Sequence, residues 1–400
     1  MTHYLIVGNG VAGTTAAETI RKADSQGRIT ILTEEDLPYY SRIRLPEYIA
    51  GETDEDDLVI KAPDWYQERA IDIRLKAEVA GLDPDSKTVT LKDGEKISYD
   101  KVLLATGSRS FVPPIKGSDL SGVFTLRNVQ DARAIKSYAE KCANAVVIGG
   151  GVLGLEAGNA LIKLGKKVRV VEFMSRLLPR QTDWECSKRL QAILEGMGFS
   201  FSLDSKTSAI EGNGRVEKVL LEGGESLDAD MVIISAGVRP CKDLAEPVDV
   251  ACDKAVKVDE HMLTSMADVY AAGDVIEFEG RPYGIWPAAS EQGRIAGNNM
   301  AGKTQEYEGT PMANTLKVAG VELAAAGELD PDGKLDSAVY ETEDVYRKIV
   351  FDNGRIVGCV MLGDKTGFFQ VTKLMGKDRD FSQFKEQFQS PDFDFKQLTA

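Results

Sequence analysis

The chain has only five cysteines in 400 residues, and no two of Cys142, Cys186, Cys241, Cys252 and Cys359 fall in a CxxC or CxxxxC pair. An odd number at wide spacing excludes a disulfide framework and a local redox pair, so each reads as an isolated thiol. Histidine is scarcer still, with His3 and His261 alone, and no metal site is assigned. There is no apolar run of the roughly 18 residues that a bilayer-spanning helix needs. The chain enters Tyr4–Leu5–Ile6–Val7 almost at once, without the basic and apolar regions of a signal peptide. A cytoplasmic setting is therefore expected. Cations are in deficit, 48 Lys and Arg against 63 Asp and Glu, for a net charge of −15. That balance argues against nucleic acid or an anionic membrane as partner, because phosphate contacts need clustered Lys and Arg. It leaves room for a local basic patch that docks an acidic protein.

What the chain does have is glycine in two special places. Val7–Gly8–Asn9–Gly10–Val11–Ala12–Gly13 and Ile148–Gly149–Gly150–Gly151–Val152–Leu153–Gly154 are both GxGxxG turns. Each follows a short apolar run and opens a helical pattern. The first glycine makes the tight turn, the second lets backbone approach a pyrophosphate, and the third allows close helix–strand packing. The free N–H groups and positive dipole end of the helix favour that phosphate. After the first turn, Thr14–Ala23 reads as helix and Arg28–Leu32 as strand, followed by Glu34, Glu35 and Asp36. An acid there can hold a ribose hydroxyl; Glu35 is the first choice and Glu34 the second, and a solvated turn is the plainer reading of all three. After the second turn, Leu155–Leu164 reads as helix and Lys167–Val171 as strand, closed by Glu172, 18 residues past Gly154. That acid would accept from both ribose hydroxyls and repel a 2′-phosphate, which prefers NAD to NADP. Arg176 and Arg180 nearby are the opposing consideration.

Leu37–Pro38–Tyr39–Tyr40–Ser41–Arg42–Ile43–Arg44–Leu45–Pro46 resembles the two-dinucleotide-binding flavoprotein reductases of the pyridine nucleotide–disulfide oxidoreductase superfamily. Arg176–Leu177–Leu178–Pro179–Arg180–Gln181 is similar to the same segment of rubredoxin reductases and of the flavin portion of NADH-dependent nitrite reductases. The resemblance runs over nearly the whole chain. It implies an α/β fold with two Rossmann-like domains and a small α+β interface domain. The expected boundaries are 1–112 and 241–311 for FAD, 113–240 for NAD, and 312–400 for the interface domain. It implies that FAD contacts Gly8, Gly10 and Gly13, Glu35, Arg42 on the diphosphate, Val79 by its backbone, Ala105–Thr106–Gly107, Gly273, Asp274, and Ala288 at the start of a helix aimed at the flavin. NAD would meet Gly149, Gly151, Val152, Leu153, Gly154, Glu172 and Gly237. Glu156 would lie near the nicotinamide, although a glutamate in a first helical turn also serves the dipole. Lys317, in Leu-Lys-Val-Ala-Gly, is the second candidate for a catalytic role. Ile43 stands where one branch of the family has its single redox cysteine.

These parts imply an FAD-dependent NADH oxidoreductase without a redox-active disulfide. Hydride arrives as an electron pair, cannot leave by thiol exchange, and can leave a flavin one electron at a time. The expected acceptor is a one-electron carrier: rubredoxin, ferredoxin or an iron–sulfur subunit. The alternatives are an NADH oxidase that uses oxygen and a non-enzymatic flavin-binding sensor or module. Lys373, Lys377, Arg379 and Lys385 read either as a docking patch or as a solvated face. The identity of the acceptor and the oligomeric state stay open at this point.

Overall fold

The computed structural model describes residues 1–310, 313–375, 377–391 and 393–399. Packing divides the chain into two units, residues 1–45, 53–110 and 238–311 in the first, and 46–52, 111–237 and 312–400 in the second. The fold is α/β, with a parallel five-stranded sheet at the heart of each unit.

In the first unit the strand order is Val269–Ala271, Lys101–Leu104, His3–Val7, Arg28–Leu32, Ile71–Arg74, all parallel. Leu5, Ile6, Ile31, Leu32, Val102 and Leu103 are buried, as expected of strands covered on both faces. Val7 pairs with Leu32 on one side and Leu104 on the other, and Leu104 with Ala271. Four strands therefore end level, and their next residues gather at one carboxyl edge. In open α/β sheets ligands bind outside that edge, where the chain order reverses. The helices Val11–Ala23 and Trp286–Met300 pack closely on each other. A Cβ added at Gly293 would lie 2.9 Å from Ala12 Cα, and one at Gly297 2.9 Å from Thr19 Cβ. Small residues in these helices thus serve a helix–helix crossing as well as the sheet.

The second unit repeats the plan, with parallel strands in the order Phe199–Ser202, Lys167–Val171, Asn144–Ile148, Met231–Ile234, Val123–Phe124. Each unit also carries a three-stranded antiparallel sheet, Val79–Asp83, Thr88–Leu91 and Lys96–Ser98 in the first, Thr207–Glu211, Lys218–Leu221 and Ser226–Asp228 in the second. The last part of the second unit is an antiparallel sheet in the order Ala313–Val318, Val321–Gly327, Arg355–Leu362, Tyr346–Asp352, Asp336–Glu341, followed by the helix Phe368–Leu374. The stretch 381–388, which reads as helical from its spacing of phenylalanines, instead forms short 3-10 turns at Ser382–Phe384 and Gln387–Gln389. Phe381, Phe388 and Phe395 are buried together with Phe368 and Phe351, so packing of rings onto the sheet decides this segment. Among the described residues, no helix is long and apolar enough to cross a membrane.

Candidate functional site

All the residues assigned to FAD lie in the first unit, and those assigned to NAD lie in the second. At the first glycine turn Gly8 has φ +112, and a Cβ there would run into the carbonyl of Ala105. Only glycine takes this backbone shape without strain. A Cβ on Gly13 would strike the carbonyl of Gly8, whereas one on Gly10 would meet nothing within 4 Å. Gly10 therefore borders open space, and Gly10 as N-cap makes no side-chain bond to the helix Val11–Ala23. The first N–H groups of that helix stay available to a phosphate.

Glu35 is buried beyond the end of Arg28–Leu32, and Glu34 beside it is exposed. The Glu35 carboxylate accepts from the Tyr40 hydroxyl and from Arg42 Nη2, the latter at 2.5 Å. The residues expected on ribose and on diphosphate are thus joined as one ion pair. Lys76 N–H donates to the Glu35 carbonyl and Ala77 N–H to that of Thr33, which ties the approach to Val79 to the same corner. The Ala105–Thr106–Gly107 segment follows Leu104; Thr106 Oγ1 donates to the Cys241 carbonyl at 2.9 Å. Gly273 N–H donates to Gln292 Oε1 at 2.9 Å, and Ser108 Oγ donates to Asp274 Oδ2 at 2.9 Å. Gln292 is fully buried in the helix that begins at Trp286, with Ala288 in its first turn.

Several of these partners were not singled out in the sequence. Asn9 Oδ1 accepts from the Tyr66 hydroxyl at 3.1 Å, and that hydroxyl accepts from Tyr39 N–H at 3.0 Å. Tyr66 therefore links the glycine turn to the segment leading to Arg42. Its only signal was an aromatic in a short helical stretch. Ser108 directly follows the Ala-Thr-Gly motif, and that adjacency was the one available hint.

The second turn reproduces the geometry of the first. Gly149 has φ +116 and faces the carbonyl of Ser235, while Gly151 borders open space. The strand residues Ile148, Val171 and Ile234 are in register, which brings Gly149, Glu172 and the stretch to Gly237 to one edge. Glu172 is buried; its Oε2 accepts from Gly150 N–H at 2.6 Å and its Oε1 from Met174 N–H at 2.7 Å. Each oxygen keeps a second lone pair for a ribose hydroxyl. Val152 and Leu153 begin the helix Val152–Lys163, and Leu153 is 48% exposed beside the turn. Glu156 Oε1 accepts from Ala319 N–H at 3.0 Å, so this carboxylate serves the tip between two strands. Lys317 pairs with Glu322 along those strands, and its side chain lies outside what the structure describes. All five cysteines are free thiols. Burial pushes the Cys359 thiol up to about 12 and raises that of Cys186, which keeps both from acting as thiolates.

Residues 2–293 match the family described as pyridine nucleotide-disulphide oxidoreductase, and residues 311–379 match the rubredoxin NAD+ reductase C-terminal domain. The chain is 35% identical over 384 residues to a nitrite reductase [NAD(P)H] of Bacillus subtilis, covering 95% of this chain and 48% of the relative. It is 34% identical over 394 residues to an NADH oxidase of Methanocaldococcus jannaschii, covering 90% and 87%. It is 32% identical over 384 residues to an NADH-rubredoxin oxidoreductase of Clostridium acetobutylicum, covering 95% and 96%. The crystal structure of that oxidoreductase superposes with a TM-score of 0.81 at 30% identity, covering 95% and 96%. This chain spans about half the length of the two Bacillus subtilis relatives it matches, at 48% and 51%. With a family match over most of its length and a relative of nearly equal extent, the chain belongs to the pyridine nucleotide-disulphide oxidoreductase family.

Proposed function

We propose that the chain is an FAD-dependent NADH oxidoreductase that hands electrons to a one-electron carrier protein, a rubredoxin, a ferredoxin or an iron–sulfur subunit. The residues present fit both cofactors. Gly10 and Gly151 border space that a side chain would fill, and neither following helix is capped by a side chain. In the first unit, Gly8, Gly10 and Gly13 would hold the FAD diphosphate, with Arg42 as its cation. Glu35 and Val79 would hold the adenosine, and Ala105–Gly107, Gly273, Asp274 and Ala288 the flavin side. In the second unit, Gly149–Gly154, Glu172 and Gly237 would hold NADH. When bound, flavin would supply the chemistry of accepting an electron pair and releasing electrons one at a time, and the residues named here would hold and orient it. Arg42, fixed by Glu35, sets the charge beside the diphosphate.

The observation that carries the reading is the pairing of two dinucleotide cradles with five free, isolated thiols. Electrons that reach the flavin have no cysteine pair to leave by. The match of residues 311–379 to a rubredoxin reductase domain agrees with this. A second reading, NADH oxidase, is favoured by the Methanocaldococcus jannaschii relative of that name. The test is anaerobic reduction by NADH followed by reoxidation with rubredoxin, ferredoxin, oxygen and a disulfide in turn. Rapid reoxidation by a one-electron carrier is expected. Equal rates with oxygen alone would give the oxidase reading, and failure of NADH to bleach the flavin would leave a flavin-binding module.

A further inference from the structure

We propose that Trp184 sets the coenzyme preference of the second unit by withholding Arg176 from a 2′-phosphate. The inference rests on the reading that this unit binds a nicotinamide dinucleotide. NADH and NADPH differ only by the phosphate on the adenosine ribose. A site that takes NADPH needs a cation beside that ribose, and a site that refuses it keeps an acid there. Glu172 is the acid. Its two oxygens hold Gly150 N–H and Met174 N–H, so rotating it away from an incoming phosphate would strand two amides. Arg176 is the first cation after it, in the irregular stretch that follows the strand. Its guanidinium lies over the Trp184 ring, 4.9 Å from the centroid, and its Nη2 donates to the Pro179 carbonyl at 3.1 Å.

The backbone that carries the ring is anchored. Trp184 opens the helix Trp184–Gly196, and the Asp183 N-cap accepts from Cys186 N–H and from the Tyr346 hydroxyl at 2.7 Å. Indole is the strongest aromatic seat for a guanidinium. Against that hold, Arg176 Nε is enclosed without a partner. The stacked arrangement therefore leaves one donor unsatisfied, and loss of the ring contact frees a group that a phosphate oxygen would satisfy. Trp184 acts through Arg176, as a positioning residue.

The experiment compares kcat/KM for NADPH and NADH in the flavin-loaded enzyme. Trp184→Leu is expected to raise the NADPH to NADH ratio by about tenfold or more. Trp184→Phe, which keeps a ring under the guanidinium, stays near the parent ratio, and Trp184→Leu with Arg176→Gln returns to it. The ring is 48% exposed at a helix start, so truncation leaves the core untouched; unfolding midpoint and flavin content check this. Arg176→Gln alone needs no change at the ring and leaves the ratio as it is. An unmoved ratio in Trp184→Leu overturns the proposal, as does a gain that survives loss of Arg176 or a marked fall in NADPH use in Arg176→Gln alone. Parent enzyme that neither nucleotide reduces overturns the functional reading first, before any variant is made.

Discussion

Glu35 and Glu172 both stand beyond the second strand of a parallel sheet, three residues past Leu32 and one past Val171, and they are held by different chemistry. Glu172 is tied to two backbone amides, those of Gly150 and Met174. Glu35 is tied to side chains, Tyr40 and Arg42, and its partner cation is the one assigned to the FAD diphosphate. Arg42→Ala would remove that cation and leave Glu35 without its counter-charge. FAD release is expected to quicken by about tenfold or more, since charge-assisted bonds are worth roughly 1.5–3 kcal/mol; the return of flavin fluorescence on dilution measures it. A third carboxylate is a liability. Glu277 is 2% exposed in the strand Ile276–Phe278, and neither of its oxygens has a hydrogen-bond partner. Replacing an orphaned buried polar group by an apolar one of similar shape is neutral or stabilising. Glu277→Met should raise the urea midpoint, with a gain of about 1 kcal/mol in unfolding free energy; a loss of that size would show that an unseen donor serves Glu277.

At the level of elements, one contact in each unit ties separate elements together. The helix Trp286–Met300 reaches the first glycine turn only because Gly293 lets its backbone touch Ala12. Gly293→Val should push the two helices apart, at a cost of about 1–3 kcal/mol, and should lower flavin content together with the thermal midpoint. In the second unit the strand Tyr346–Asp352 is locked to the helix Trp184–Gly196 through Asp183, which takes the Tyr346 hydroxyl at 2.7 Å and has Lys348 Nζ at 3.4 Å. Burial, and then the Asp183 charge, raise the Tyr346 pKa well above its ordinary 10.0. The phenol is thus neutral in the folded chain at pH values where the unfolded one ionises. Its contribution is complete below pH 10 and falls as the pH climbs beyond that value. Wild-type stability should decline steeply in urea titrations above pH 10, and Tyr346→Phe should show a shallower decline from a lower starting point. The basic residues near the C-terminus resolve as elements too. Lys385 pairs with Asp336 at 2.5 Å and Arg379 donates to the Leu398 carbonyl, while Lys373 and Lys377 are exposed. Two of the four cations are engaged within the chain, which weighs toward the solvated face.

Across the whole molecule, a net charge of −15 sets a background of self-repulsion. Screening at an ionic strength of about 0.15 M should therefore raise the thermal midpoint relative to about 0.01 M; a midpoint that falls with salt would mean that attractive ion pairs outweigh the repulsion. The same acidity makes an acidic carrier a poor long-range partner, so reoxidation by such a carrier should not lose rate steeply with salt. The α/β class, the two glycine turns and the acids beyond them were legible in the sequence because each is a local demand. A backbone at φ +112 against the Ala105 carbonyl accepts glycine and nothing larger; a strand buried on both faces must be apolar throughout. What the sequence could not give is which side chains meet outside regular elements. Ser108 finds Asp274, Gly273 finds Gln292, Tyr346 finds Asp183 and Arg176 finds Trp184. Ser108 and Asp274 are 166 residues apart and Tyr346 and Asp183 163 apart, spacings that no helix or hairpin imposes; Arg176 and Trp184 are near neighbours whose contact depends on how the irregular stretch between them folds. The stretch 381–388 carries a helical spacing of phenylalanines and still breaks into turns, because its rings are claimed by a cluster on a distant sheet. The sequence by itself determined that two GxGxxG turns are present, each with an acid beyond the strand that follows, and that no CxxC or CxxxxC pair stands beside them. Only the tertiary structure decided which carboxylate is held by backbone, which by a cation, and which arginine is kept on an indole ring, because those choices rest on side-chain contacts outside the regular elements.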